Sequence, residues 1–142
     1  MHSIEILLVE DNEGDIVLTL EALTDARIKN KVNVVKDGDA AIEYLELSKA
    51  GEQRIPDLIL LDINLPKVDG KEVLAYIKND EILKKTPVVM LTTSSSENDI
   101  SDAYSNHANC YITKPVDFNN FFEIIKAIED FWITIVKLPS KD

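Results

Sequence analysis

Leu58-Ile59-Leu60-Leu61-Asp62-Ile63-Asn64 is the stretch that decides the fold. Four aliphatic residues run without interruption into a carboxylate. A strand with one face in water alternates apolar and polar residues, whereas a strand covered on both faces has no need to. The run is too short for an ordinary helix, and its acid stands where a buried strand would surface. Runs of the same kind occur on either side, at Ile4–Val9, Val32–Val35 and Val88–Leu91, with a weaker one at Cys110–Ile112. Between them the apolar residues fall at helical spacing. Ile16, Leu20 and Leu23 share one face; Ala41, Ile42 and Leu45 share another. Val73, Leu74, Ile77 and Ile82 mark a third stretch, and Ile100, Ala103 and Tyr104 a short fourth. Phe121, Phe122, Ile125, Ile128 and Trp132 mark a long last helix, for which Asp117 is a suitable N-cap. Pro56, Pro66, Pro87 and Pro115 fall at the junctions.

Strict alternation of strand and helix predicts an α/β domain, a parallel sheet with helices on both faces. Right-handed crossovers leave few arrangements. The best fit is a doubly wound five-stranded parallel sheet in the order 2-1-3-4-5, the flavodoxin-like arrangement. The 142 residues suit one domain, and no linker, repeat or low-complexity tract divides them, so residues 1–142 are expected to form a single domain with an extended C-terminal helix. A composition 45% apolar and 29% charged excludes a disordered chain. The single cysteine, Cys110, excludes an internal disulfide framework. Met1–Ser3 leads at once into a short apolar run that ends in acids, which is not a secretory signal, and no apolar stretch reaches membrane-span length. A cytoplasmic protein with no membrane contact is expected. The net charge of −11 repels phosphate backbones and argues against nucleic-acid binding.

In doubly wound sheets ligands bind beyond the carboxyl ends of the strands, where strand order reverses. The first strand runs into Glu10 and Asp11, the third into Asp62, the fourth into Thr92 and Thr93, and the fifth into Thr113 and Lys114. The first and third strands are neighbours in the expected order, so Glu10, Asp11 and Asp62 converge. Three carboxylates at one point repel one another, and a hard divalent cation such as Mg²⁺ relieves the repulsion while leaving room for a phosphate. The main-chain carbonyl of Asn64 could complete the ligand set. Lys114 supplies a point charge for an anion and Thr92 a hydroxyl donor. A carboxylate nucleophile, a metal, a cation and a hydroxyl suit phosphoryl transfer to Asp62. Each residue alone has an ordinary structural use, as a helix cap or a solvated side chain; it is the conjunction at successive strand ends that points to chemistry.

From residue 4 to about residue 130 the chain resembles the receiver domains of two-component response regulators. The resemblance is carried by Ile6-Leu7-Leu8-Val9-Glu10-Asp11, Leu60-Leu61-Asp62-Ile63-Asn64-Leu65-Pro66, Asp69-Gly70, Leu91-Thr92 and Lys114-Pro115, in that order. It implies the receiver fold and a phosphoacceptor at Asp62, served by a phosphohistidine on a sensor histidine kinase. It also implies Mg²⁺ on Asp11, Asp62, the Asn64 carbonyl and Glu10, the last directly or through water. Lys114 would touch the phosphoryl group, Thr92 would swing toward it, and Tyr111 would follow from an outward to an inward rotamer. Pro66 and Gly70 would shape the loop after Asp62, and the bond before Pro115 would be cis. Such a protein is no enzyme toward other substrates; it catalyses only its own phosphorylation and dephosphorylation, and signals by protein–protein contact or phosphorelay.

Two features depart from the simplest members. Leu47–Ile55 lengthens the stretch before the third strand, its polar part reading as a loop or an extended helix end. Thr93 stands where a smaller residue is usual, so its branched side chain is expected to restrict access to the phosphoryl group. These features and the tail are similar to the single-domain subgroup that includes the cyanobacterial phytochrome response regulator, which would make the kinase phytochrome-like. An aspartyl-nucleophile phosphatase of haloacid-dehalogenase type is the alternative. It needs a second acid two residues after the nucleophile, where this chain has Asn64. A Gly-rich phosphate loop is missing after the first strand, which disfavours a P-loop enzyme. Finally, the apolar residues after Asp117, densest in Phe131–Val136, exceed what one sheet face needs. They predict a homodimer through the C-terminal helix, the alternative being a helix end that folds back on its own domain.

Overall fold

The computed structural model describes residues 4–24, 29–63, 65–92 and 110–113. The elements follow in the order β1 (Ile4–Val9), α1 (Glu13–Thr24), β2 (Asn30–Val35), α2 (Gly38–Lys49), β3 (Leu58–Asp62), α3 (Gly70–Lys78), a 3₁₀ turn (Leu83–Lys85), β4 (Val88–Thr92) and β5 (Cys110–Thr113). The five strands form one parallel sheet in the order β2-β1-β3-β4-β5, as the alternation of runs predicts. The fourth and last helices read from the sequence lie outside the described residues, as do Asp117 and the surface expected to form a dimer.

The sheet separates two apolar layers by strand parity. Leu7 and Val9 of β1, Ile59 and Leu61 of β3, and Val88 and Met90 of β4 face α2 and α3, meeting Ala41, Leu45, Val73, Leu74 and Ile77. Ile6 and Leu8, Leu58 and Leu60, and Val89 and Leu91 point the other way, toward Ile16, Ala22 and Leu23 of α1. Both sets are almost fully excluded from water, which is why β1, β3 and β4 carry unbroken aliphatic runs. β2 lies at the edge of the sheet and is only half-buried. Its pairing with β1 nevertheless begins at Asn30, two residues before the apolar run, because Ile4 and Asn30 already stand in register. At an edge the ladder needs backbone partners more than apolar side chains.

Each described helix is fixed at its start by a short polar side chain. The Asn12 carboxamide oxygen accepts from the Asp15 N–H at 2.9 Å, Asp37 accepts from Ala40 at 2.8 Å, and Asp69 accepts from Lys71 at 2.7 Å. At α3 the Glu72 carboxylate also accepts from the Asp69 N–H, closing a capping box. α2 ends in a Schellman turn: Glu52 donates to the Leu47 carbonyl and Gly51 to that of Ser48, with Gly51 at φ 85°. The helix thus takes Leu47–Lys49 from the extended stretch and leaves the rest as a loop. That loop is tied back to the helix, since the Ser48 hydroxyl donates to the Arg54 carbonyl and the Gln53 amide to that of Tyr44. α3 is shorter than the sequence reading. Asp80 accepts from the N–H groups of Ile82 and Leu83, which stops the helix and starts the 3₁₀ turn. Leu83 is buried, and Ile82, grouped with α3 by periodicity, is half exposed.

Candidate functional site

The register of β1 and β3 pairs Val9 with Leu61, so the next residues of the two strands, Glu10 and Asp62, emerge side by side. Glu10 is held in line by donating its N–H to the Val35 carbonyl at 3.0 Å. Beyond Asp62, the Ile63 N–H donates to the Leu91 carbonyl at 2.9 Å, so the ladder to β4 continues past the acid. Glu10, Asp11 and Asp62 each offer a carboxylate oxygen, and these atoms lie within 4.8 Å of one another. Glu10 and Asp62 are buried, while Asp11 is open to solvent.

Asn12 does the work of capping α1, so neither preceding acid is taken up by that task. The Glu10 carboxylate accepts from the Asn12 N–H at 3.1 Å, which curls it back over the strand end. After Asp62 the chain doubles back: Leu65 and Gly70 both donate to the Ile63 carbonyl, at 3.1 and 3.0 Å. Gly70 sits so close that a Cβ there would lie 2.1 Å from the Asp62 carbonyl oxygen. The aspartate is therefore presented from a strand end braced on both sides. Two buried carboxylates and one exposed carboxylate, all oxygen donors on short backbone tethers, match the ligand preference of a hard divalent cation.

Three of the residues singled out in the sequence are thus brought together. Thr92 ends β4 opposite Thr113, and Tyr111 pairs with Met90 in β5, so both stand on strands of the same sheet. Asn64, Thr93, Lys114 and Pro115 lie outside the described residues. Sequence reasoning missed Asn12 as the residue that caps α1, although an Asn ahead of a helical stretch is a recognisable start signal. It also missed Gly38, whose significance is a contact with the segment after Asp62 that no local pattern reveals.

The model of the response regulator receiver domain matches residues 6–126. The chain belongs to that family. The receiver domain is 45% identical over 136 residues to the response regulator Rcp1 of Synechocystis sp., covering 95% of this chain and 92% of that protein. The solved structure of the phosphorylated cyanobacterial phytochrome response regulator RcpA superposes with a TM-score of 0.86 at 50% identity, covering 98% of this chain and all of the other. The Mn²⁺-bound form of Rcp1 superposes with a TM-score of 0.85 at 43% identity, covering 96% of this chain and 99% of that one. The chain is a response regulator receiver of the two-component kind, similar to single-domain phytochrome regulators, and its Glu10, Asp11 and Asp62 form a group of carboxylates that could hold a metal ion. Receivers of this family are signalling proteins and not enzymes acting on other substrates, and nothing in these similarities favours the aspartyl phosphatase. No helix among the described residues is long and apolar enough to cross a membrane.

Proposed function

We propose that this receiver domain takes a phosphoryl group onto Asp62 from a phosphohistidine of a phytochrome-like sensor kinase. The observation that carries the reading is the convergence of the Glu10, Asp11 and Asp62 carboxylates within 4.8 Å at the carboxyl ends of neighbouring strands. In the transfer an Asp62 carboxylate oxygen forms a bond to phosphorus, the phosphorus–nitrogen bond to histidine breaks, and the electron pair leaves on the imidazole. Mg²⁺ is the resident ion of this proposal; when bound it neutralises charge on the phosphoryl oxygens. Asp11 and Asp62 would ligate it, with Glu10 behind them and the Asn64 carbonyl beside them. Lys114 and the Thr92 hydroxyl hold the phosphoryl oxygens, and Thr92 and Tyr111 carry the switch to the face made by the fourth helix, β5 and the last helix.

The proposal extends to the chain as a whole: residues 1–142 form one receiver domain with a lengthened last helix that pairs with a second copy. It works in the cytoplasm, touches neither nucleic acid nor membrane, and signals by protein contact or phosphorelay. The test is incubation with a small-molecule phosphodonor and Mg²⁺, followed by intact-protein mass measurement. A gain of one phosphoryl group that is lost in Asp62→Asn is the expected result. Absence of the gain in the unsubstituted protein refutes the proposal.

A further inference from the structure

We propose that Gly38, at the start of α2, is a positioning residue for the metal and phosphoryl site and acts through residues 65–70. The inference rests on the reading of Glu10, Asp11 and Asp62 given above. Gly38 is buried, and a Cβ built on it would lie 2.0 Å from the Val68 carbonyl oxygen and 2.6 Å from the Val68 Cβ. The nearest atom belongs to the backbone, so no rotamer change makes room; the segment itself must retreat. Its seat on α2 is reinforced twice. Gly38 donates a long hydrogen bond, 3.5 Å, to the Pro66 carbonyl. Asp37 caps α2 with one carboxylate oxygen and places the other 3.8 Å from the Lys67 ammonium. Lys67 has φ 66°, the left-handed region that a side chain disfavours. A residue is kept there only when its surroundings over-determine it.

The other end of the same segment rests on the nucleophile. Gly70 and Leu65 donate to the Ile63 carbonyl, and Gly70 lies against the Asp62 carbonyl at a distance that leaves no room for a methyl group. Residues 65–70 are thus wedged between two glycine contacts, one with α2 and one with the backbone of Asp62. Close-packed interiors transmit a displacement of this kind because no void absorbs it. Gly38 touches neither metal nor phosphoryl group; it sets where the wedge sits, and the wedge sets where Asp62 leaves its strand. Gly51, at the far end of the same helix, is the natural contrast. Its φ is 85°, but a Cβ there would meet nothing within 4 Å. It serves the turn alone.

The test measures Mn²⁺ and Mg²⁺ affinity by calorimetry, together with thermal midpoints, for the unsubstituted protein, Gly38→Ala, Gly51→Ala and Asp11→Asn. Gly38→Ala is expected to weaken divalent binding by about tenfold or more, the usual effect of disturbing groups that orient metal ligands. Gly51→Ala is expected to lower the midpoint and keep the original affinity. Should Gly38→Ala fold too poorly to measure, Lys67→Pro moves the same segment from an exposed position by forcing φ to about −65°. It is expected to weaken metal in the same direction. Unchanged affinity in Gly38→Ala or in Lys67→Pro, with Asp11→Asn impaired, overturns the inference alone. An equal loss in Gly51→Ala also overturns it, since affinity would then follow stability in general. An unsubstituted protein that binds no divalent cation overturns the underlying site reading and this inference with it.

Discussion

Replacing Asp62 by Asn removes one of three carboxylates whose oxygens lie within 4.8 Å of one another, while keeping the side chain's shape. The metal-free protein should gain stability. Two unit charges at that separation repel by about 3.5 kcal/mol at an effective dielectric of 20 and by about 0.9 kcal/mol in bulk water. Glu10 and Asp62 are buried but Asp11 opens the site to solvent, so the site falls between those limits. A net gain of about 1–3 kcal/mol follows, less whatever hydrogen bonding the substitution disturbs. For a chain of this size each kcal/mol moves the thermal midpoint by about 3–4 °C. Mg²⁺ should act in the opposite sense. A site filled at one hundred times its dissociation constant adds about 2.7 kcal/mol to the protein that binds and nothing to the one that does not. Thermal melts with chelator and with saturating Mg²⁺ therefore give a crossed pattern. Asp62→Asn melts above the unsubstituted protein without metal, and the difference narrows or reverses with it. A variant that melts lower without metal, beside an unsubstituted protein indifferent to Mg²⁺, would refute the electrostatic account of the cluster.

Three further outcomes are expected. The Asp80 carboxyl is held below the usual carboxylate range, first by its 2.6 Å hydrogen bond from Lys49 and then by the Leu83 and Ile82 N–H groups. A depressed folded-state value means stability present above the unfolded value and lost as pH falls through the folded one. The stability advantage over Asp80→Asn, measured by urea unfolding, should thus be full at neutral pH and vanish in strong acid; an advantage that persists there contradicts the assignment. Thr92→Ala should still accept phosphate but bind a partner of the phosphorylated form more weakly, and equal partner affinity for the two phosphorylated proteins would count against Thr92 as a switch. The proposed homodimer should appear in sedimentation at micromolar concentration and dissociate in the Trp132→Ala, Ile135→Ser double variant; a dimer that survives places the interface elsewhere.

The strands were readable because parallel strands buried on both faces need continuous aliphatic sequence, and Leu58–Leu61 and Val88–Leu91 have it. β2 was readable only in part. At the sheet edge Asn30 and Lys31 join the ladder through backbone alone, and Asn33 spends its side chain on the Glu5 carboxylate and the Tyr44 hydroxyl. The end of α3 was misplaced because Ile82 falls close to helical spacing, whereas the stop is dictated by Asp80, a polar residue whose effect is on backbone N–H groups. Glu10, Asp11 and Asp62 were legible since strand order alone places the ends of β1 and β3 together. The packing of Gly38 on Val68 was not, because it joins segments brought together only by the crossover from α2 to β3. Periodicity reports which face of an element is apolar; it says nothing of how closely two backbones approach.

The Schellman turn that ends α2 lies at the opposite end of the sheet from the carboxylates, because α2 runs back against the strands it connects. The turn's hydrogen bonds are complete at the Glu52 N–H, and the loop is re-anchored through the Gln53 amide. The bond between Glu52 and Gln53 therefore joins two separately secured pieces. Doubling the length of a flexible loop costs only about 0.6 kcal/mol in closure entropy. That bond is the place to graft a fluorophore-binding tag or an affinity peptide. A reporter inserted there would ride on a rigid helix end, distant from the Glu10, Asp11 and Asp62 carboxylates and from residues 65–70, and so would suit a test of the proposed phosphorylation cycle.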